Sequence, residues 1–242
     1  MERPQLIRPG MFGVAAAADD RRHIFDLHNE ALLARRAPVD AVFIGDSITE
    51  MWALDVYFEG SSGHVVNRGI SGDRTPFVRR RFEADVLQLR PRLVVLKIGV
   101  NNTEDLDYPW DPDVYRPPES IEEEIVADIE AMVTAARVES IAVALCSILP
   151  MNRPTNANTA MRNAVIARAN TRLRLIAADH GALFVDYHAR MVEEDGLTLR
   201  PELADDGLHP HVVGYEIMAE VLLGTLSAAG IDSIRDKPFP GR

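Results

Sequence analysis

A single cysteine, Cys146, stands among the 242 residues. That excludes an internal disulfide and any zinc site built on several cysteines. It lies in the apolar run IAVALCSIL, where a thiol usually just fills space. No apolar stretch approaches the ~18 residues that a membrane-spanning helix requires. The opening segment, MERPQLIRPGMFGVAAAADD, has no continuous apolar region behind basic residues. No secretory leader is read there, and a cytoplasmic location is expected.

Positive charge is also scarce. Lys and Arg number 26 against 37 Asp and Glu, for a formal charge of −11. A nucleic-acid surface would need a basic patch. The nearest candidate, Arg79-Arg80-Arg81, is followed at once by Glu83 and Asp85 and reads as a solvated helix face. His23 and His28 share a helical pattern but lie five residues apart, which does not stack them as three or four would. No metal or other cofactor is therefore expected, and neither nucleic acid nor membrane is expected as a partner. Internal repeats and low-complexity tracts are lacking too.

What is present is a regular alternation. The runs AVFIG (41–45), HVVNRGI (64–70), RLVVLKIG (92–99), SIAVALCSIL (140–149) and ALFVDYH (182–188) read as strands. Several are apolar without alternation, the mark of strands covered on both faces. Amphipathic patterns over 19–36, 47–58, 76–89, 119–137, 157–180 and 212–228 read as helices. Such order predicts an α/β fold: a single-domain, three-layer α/β/α sandwich on a five-stranded parallel sheet. The core is expected over about 38–228, with a helical arm over 1–37 and a tail over 229–242. Ligands of such sheets bind beyond the carboxyl ends of the strands.

Chemistry-bearing residues gather at those ends. Gly45-Asp46-Ser47 follows the first strand, and Glu50 completes a capping-box pattern with Ser47. NRGISGDRT follows the second, GVNNTED the third, and DDGLHPHVVGY precedes the last helix. A serine hydroxyl needs a base, which His209 can be. Asp206, three residues earlier in a tight turn, can accept the imidazole Nδ1–H and leave Nε2 to the serine. The backbone N–H groups of Ser47 and Gly72, with the Asn101 amide, can supply oxyanion donors. Gly72 leaves the backbone open to a substrate. Asp73-Arg74 reads as a local ion pair. Tyr108, Trp110 and Tyr115 lie in a Pro-rich loop, 102–118, where they either face a substrate or pack the loop down. Asp46 is taken with them as a candidate substrate contact.

In these blocks the chain resembles the SGNH hydrolases, the GDSL esterase-lipase superfamily, over nearly all of residues 40–226. Ser47 of GDS matches the nucleophile, Gly72 of GISGD and Asn101 of GVNN match the oxyanion residues, and Asp206 and His209 of DGLHP match the acid and base. Ile48 stands where the family name expects leucine, and Asn102 where many members carry aspartate. The GISGD and GVNN forms are most similar to the intracellular platelet-activating-factor acetylhydrolase catalytic subunits and the bacterial acetylesterases near them. The resemblance implies a flavodoxin-like fold and a serine esterase acting on short acyl esters, acetyl above all, through a Ser-His-Asp triad. It implies a small-molecule ester as partner, an acetylated sugar among the candidates. Association of identical copies stays open. The alternatives are a lysophospholipase or thioesterase on the same site, or a flavodoxin-like binding module without catalysis.

Overall fold

The five Val-, Ile- and Leu-rich runs become one parallel sheet in the computed structural model, which describes residues 3–13 and 16–237. The strands are β1 (Val39–Gly45), β3 (His64–Gly69), β4 (Leu93–Lys97), β5 (Ala142–Cys146) and β6 (Leu183–Val185), in spatial order β3-β1-β4-β5-β6. Because side chains alternate across a strand, each strand feeds two cores. Val42, Ile44, Val94, Leu96, Val143 and Leu145 enter one core, packed by α4 (Thr75–Asp85), α5 (Pro118–Val138) and α6 (Thr159–Asp179). Ala41, Phe43, Leu93, Val95, Ala144 and Cys146 enter the other, packed by α8 (Val212–Ala228) and an aromatic cluster. This is the expected sandwich, with helices on both faces of the sheet.

The helix expected over 47–58 is broken. It splits into α2 (Ser47–Glu50) and α3 (Leu54–Tyr57), and Phe58–Gly60 forms β2, antiparallel to β7 (Ile234–Asp236). The break lets Trp52 turn inward. Its ring lies 5.7 Å from Phe43 and 5.2 Å from Phe58, and stacks on Tyr215 at 5.3 Å. The carbonyls freed by the break are taken up by Asn67, whose Nδ2 donates to Thr49 O at 2.7 Å and Trp52 O at 3.3 Å. Part of the expected tail is thus a strand, and its residues 238–242 lie outside the described residues.

The other boundaries shift where side chains take over backbone donors. β5 stops at Cys146 because Asn170 and Asn163 accept from the backbone N–H groups of Ile148 and Met151. β6 stops where Asp186 caps α7 (Tyr187–Met191). The loop after β4 begins as a 3-10 helix, Asn101–Asp107, before its Pro-rich part. α1 (Ala17–Arg35) lies against α4 mainly through polar contacts, Arg22 to Asp85 and Asn29 to the Ala84 carbonyl. No helix among the described residues is long and apolar enough to cross a membrane.

Trp52 is 3% exposed and its indole N–H has no hydrogen-bond partner among the described residues. Trp52→Ala should therefore lower unfolding free energy by about 3–5 kcal/mol in urea titrations. Trp52→Phe keeps a ring and gives up no hydrogen bond, so it should lose markedly less. Equal losses would show that the indole N–H, not the ring, does the stabilising.

Candidate active site

Strand register brings the site together. Gly45 of β1 aligns with Gly69 of β3 and with Lys97 of β4. Ser47, Gly72 and Asn101 lie two, three and four residues beyond those positions, so their loops leave the sheet at one level.

Asp46, not Ser47, is the N-cap of α2, and its Oδ1 accepts from Ile48 N–H at 3.1 Å. Ser47 is the first helical residue. Its N–H is one of the orphan donors at the helix start and has no protein partner among the described residues. The Ser47 hydroxyl lies 2.9 Å from His209 Nε2. On the far side of the ring, His209 Nδ1 lies 2.7 Å from Asp206 Oδ2. A carboxylate can only accept, so Nδ1 carries the hydrogen and Nε2 is left to accept from the hydroxyl. The turn itself is tied by Asp206 Oδ1, which accepts from the backbone N–H groups of Leu208 (2.9 Å) and His209 (2.7 Å). Burial pushes the Asp206 carboxyl up. The His209 backbone and side chain and the Leu208 N–H outweigh it and hold the group well below the usual carboxylate range.

Gly72 has φ +81°, a left-handed conformation that other residues adopt at a cost. A Cβ there would make only an ordinary contact, 3.9 Å from the Ala17 Cβ, so within the protein it is the backbone conformation that favours the glycine. Its N–H also has no protein partner among the described residues. Asn101 is 3% exposed. One amide hydrogen goes to the Asp73 carbonyl at 2.9 Å, which aims the side chain and leaves the second hydrogen free. Gly207, at φ +73°, lets the turn before His209 press against the loop after β5, where a Cβ would overlap the Asn152 carbonyl.

Several expectations fail on the charged residues. Asp46 is fully buried, its carboxylate paired with Lys97 Nζ at 3.1 Å, so it lies beneath the site and does not face substrate. Glu50 does not close a capping box. It reaches across to accept from Ser71 N–H at 2.6 Å and from the Ser71 hydroxyl, and pairs with Arg21 of α1. Asp73 pairs with Arg81 at 2.8 Å instead of Arg74, which turns to Asp105 at 2.6 Å. Arg81 is no solvated helix residue: it is fully buried and also bonds Asp85. Tyr115 packs partly against the core, whereas Tyr108 and Trp110 are 46% and 75% exposed and meet edge to face at 5.9 Å.

Two residues that the sequence did not single out complete the site. Lys97 stands as the one charge in the apolar stretch LVVLKIG. Arg153, whose Nη2 lies 3.4 Å from Asp206 Oδ2, gave no local signal. The arrangement can deprotonate a hydroxyl as it attacks an electrophile, with unpaired N–H donors nearby for a developing oxyanion.

The profile of the GDSL-like Lipase/Acylhydrolase family matches residues 43–217. An acetylxylan esterase of Geobacillus stearothermophilus is 27% identical over 208 residues, covering 75% of this chain and 91% of that protein. The crystal structure of a GDSL-like lipase from Bacteroides thetaiotaomicron superposes with a TM-score of 0.69 at 27% identity, covering 88% of this chain and 99% of the other. A variant of an acetyl xylan esterase from Geobacillus stearothermophilus does so with a TM-score of 0.61 at 26% identity, covering 77% and 93%.

The depressed Asp206 carboxyl has a consequence for folding. Its stabilising contribution is complete above the unfolded carboxylate range, near pH 4, and is lost as pH falls through the lower folded value. Asp206→Asn should therefore trail wild type in urea midpoint at neutral pH, and the gap should narrow in acid. A gap independent of pH would rule out this linkage.

Proposed function

The chain belongs to the GDSL-like lipase and acylhydrolase family, a carboxylic ester hydrolase by that membership, and we propose that it removes acetyl or similarly short acyl groups from a polar alcohol, a sugar above all. The observation that carries the reading is the unbroken hydrogen-bond line from Asp206 through His209 to Ser47. Sugar esters are favoured by the acetylxylan esterases among the relatives and by the exposed Tyr108 and Trp110, whose ring faces suit the C–H face of a sugar.

In this mechanism the Ser47 oxygen attacks the ester carbonyl while His209 Nε2 takes its proton. Asp206, held ionised, stabilises the imidazolium and keeps the ring in the productive tautomer. The tetrahedral oxygen receives the Ser47 and Gly72 N–H groups and the free Asn101 amide hydrogen. Collapse breaks the bond to the alcohol, and His209 returns the proton to it. Water then attacks the acyl carbonyl and gives a proton to His209; collapse breaks the bond to the Ser47 oxygen, which takes that proton back as the carboxylic acid leaves. Glu50 acts at one remove: it ties Ser71, next to Gly72, to the nucleophile's own helix. The distance between nucleophile and oxyanion donor is thereby fixed.

Ser47→Ala should lower kcat on p-nitrophenyl acetate by at least ~10⁴-fold, with Asp206→Asn less affected, as expected of an orienting carboxylate. Rates along a p-nitrophenyl ester series should fall beyond short chains. Retained turnover in Ser47→Ala would refute the esterase mechanism.

Glu50→Ala should lower kcat roughly 10- to 100-fold at nearly constant KM, because it loosens a donor used in the transition state. Glu50→Gln keeps an acceptor for Ser71 N–H and should recover much of that loss. A change confined to KM would remove Glu50 from this role.

A further inference from the structure

The loop after β5 and the loop before α8 face each other across a cavity of about 470 Å³. Residues 152–156 wall one side, and Pro201 with residues 204–207 wall the other. Asp206 belongs to this wall. The cavity therefore opens beside the carboxylate end of the Asp206–His209–Ser47 line, one imidazole ring and two hydrogen bonds from the Ser47 oxygen.

The walls are held in place without a ligand. Asn152 N–H donates to Gly207 O at 2.7 Å, and Asn152 Nδ2 donates to Leu199 O at 3.0 Å. The Thr159 hydroxyl holds the Arg153 carbonyl at 2.7 Å. Polar groups on these fixed walls remain unspent. Asn156 uses its Oδ1 on Asn158 N–H, while its Nδ2 donates to nothing among the described residues. Arg153 uses one nitrogen on Asp206 and keeps the rest of its guanidinium free. Asp205 is exposed and its carboxylate has no partner among the described residues. One wall thus offers donors and the other an acceptor, with Pro154 and Pro201 as small apolar faces between them.

That pattern fits a ring bearing neighbouring hydroxyls, which donate and accept side by side and present a C–H face. It fits an anion poorly, because Asp205 and Asp206 flank the single guanidinium. It fits a long acyl chain poorly as well, because charged and amide groups share the wall. We propose that the cavity is a subsite for a flanking sugar unit of an oligosaccharide whose acetyl group is presented to Ser47. The inference rests on the esterase reading above and extends it from the ester to the alcohol.

The test uses Asp205→Ala and Asn156→Asp, the second keeping the Oδ1 acceptor of its turn. Each is assayed on p-nitrophenyl acetate, too short to reach the cavity, and on acetylated xylotriose. Binding of unacetylated xylotriose is measured by titration calorimetry. Loss of one hydrogen bond, to the Asp205 carboxylate in one variant and from the Asn156 amide in the other, should lower kcat/KM on acetylated xylotriose about tenfold through KM, and weaken xylotriose binding alike. Turnover of p-nitrophenyl acetate should not change. Unchanged kcat/KM on the oligosaccharide in both variants overturns the subsite and leaves the esterase reading standing. An equal fall on both substrates also overturns it, by assigning Asp205 and Asn156 to support of Asp206. If wild type cleaves neither ester, the esterase reading fails. The calorimetry then decides the cavity by itself, and absence of xylotriose binding to wild type overturns it.

Discussion

Arg81 has no exposed surface, and its guanidinium ties the turn that carries Ser47 to the turn that carries Gly72. Nε bonds Asp73, just past Gly72; Nη1 bonds the Arg68 carbonyl near the end of β3; Nη2 bonds the Gly45 carbonyl, two residues before Ser47. One rigid, planar group thus spans the Gly45–Ser47 turn and the Gly72–Asp73 turn. A guanidinium buried this deeply must be paired, and Asp73 and Asp85 both face it. Asp85 is in turn held by Arg22 of α1 through two bonds, at 2.7 and 3.1 Å. Such buried pairs contribute little net stability, but losing one partner leaves an uncompensated charge. Their effect is therefore on geometry: few alternative arrangements of the two turns keep every charge satisfied.

The opposite face of the sheet fixes the same short helix by other means. Trp52, Tyr57, Phe58 and Tyr215 pack as an aromatic cluster behind α2, and the Tyr215 hydroxyl donates to the Ile48 carbonyl at 2.8 Å. Lys97 pairs with Asp46 from below. A four-residue helix has almost no intrinsic stability. Here it is pinned by a charge pair, a phenol, the Asn67 amide and an indole, which suits a position that must hold a hydroxyl against an imidazole. Cys146 lies in the same apolar layer, its thiol pushed up to about 12 by burial, and behaves as a space-filling side chain.

Charge has a second use in the loops. The chain carries a net −11, yet the loops around the site are a mixture of signs: Arg74 with Asp105 and Glu104, Arg153 with Asp206, Arg162 with Asp107. Arg74 and the buried Arg162 of α6 thus hold the segment after β4 from two sides.

What the sequence determined was local in origin. Uninterrupted Val, Ile and Leu runs specified buried parallel strands, and helical periodicity placed α5, α6 and α8 to within a few residues. Asp206 and His209 were legible because three residues of one tight turn decide their contact. Ser47 stood out because a small polar residue ended an apolar strand. Tertiary structure decided the partners of charged side chains: Glu50 went to Ser71, Asp73 to Arg81, Asp46 to Lys97, and Arg153 to Asp206. The aromatic cluster likewise overrode helical propensity and broke the helix after Glu50. Periodicity and turn chemistry act over a few residues of chain, whereas the partner of a buried charge is chosen by which segments are packed beside it, and that is settled only once the sheet has formed.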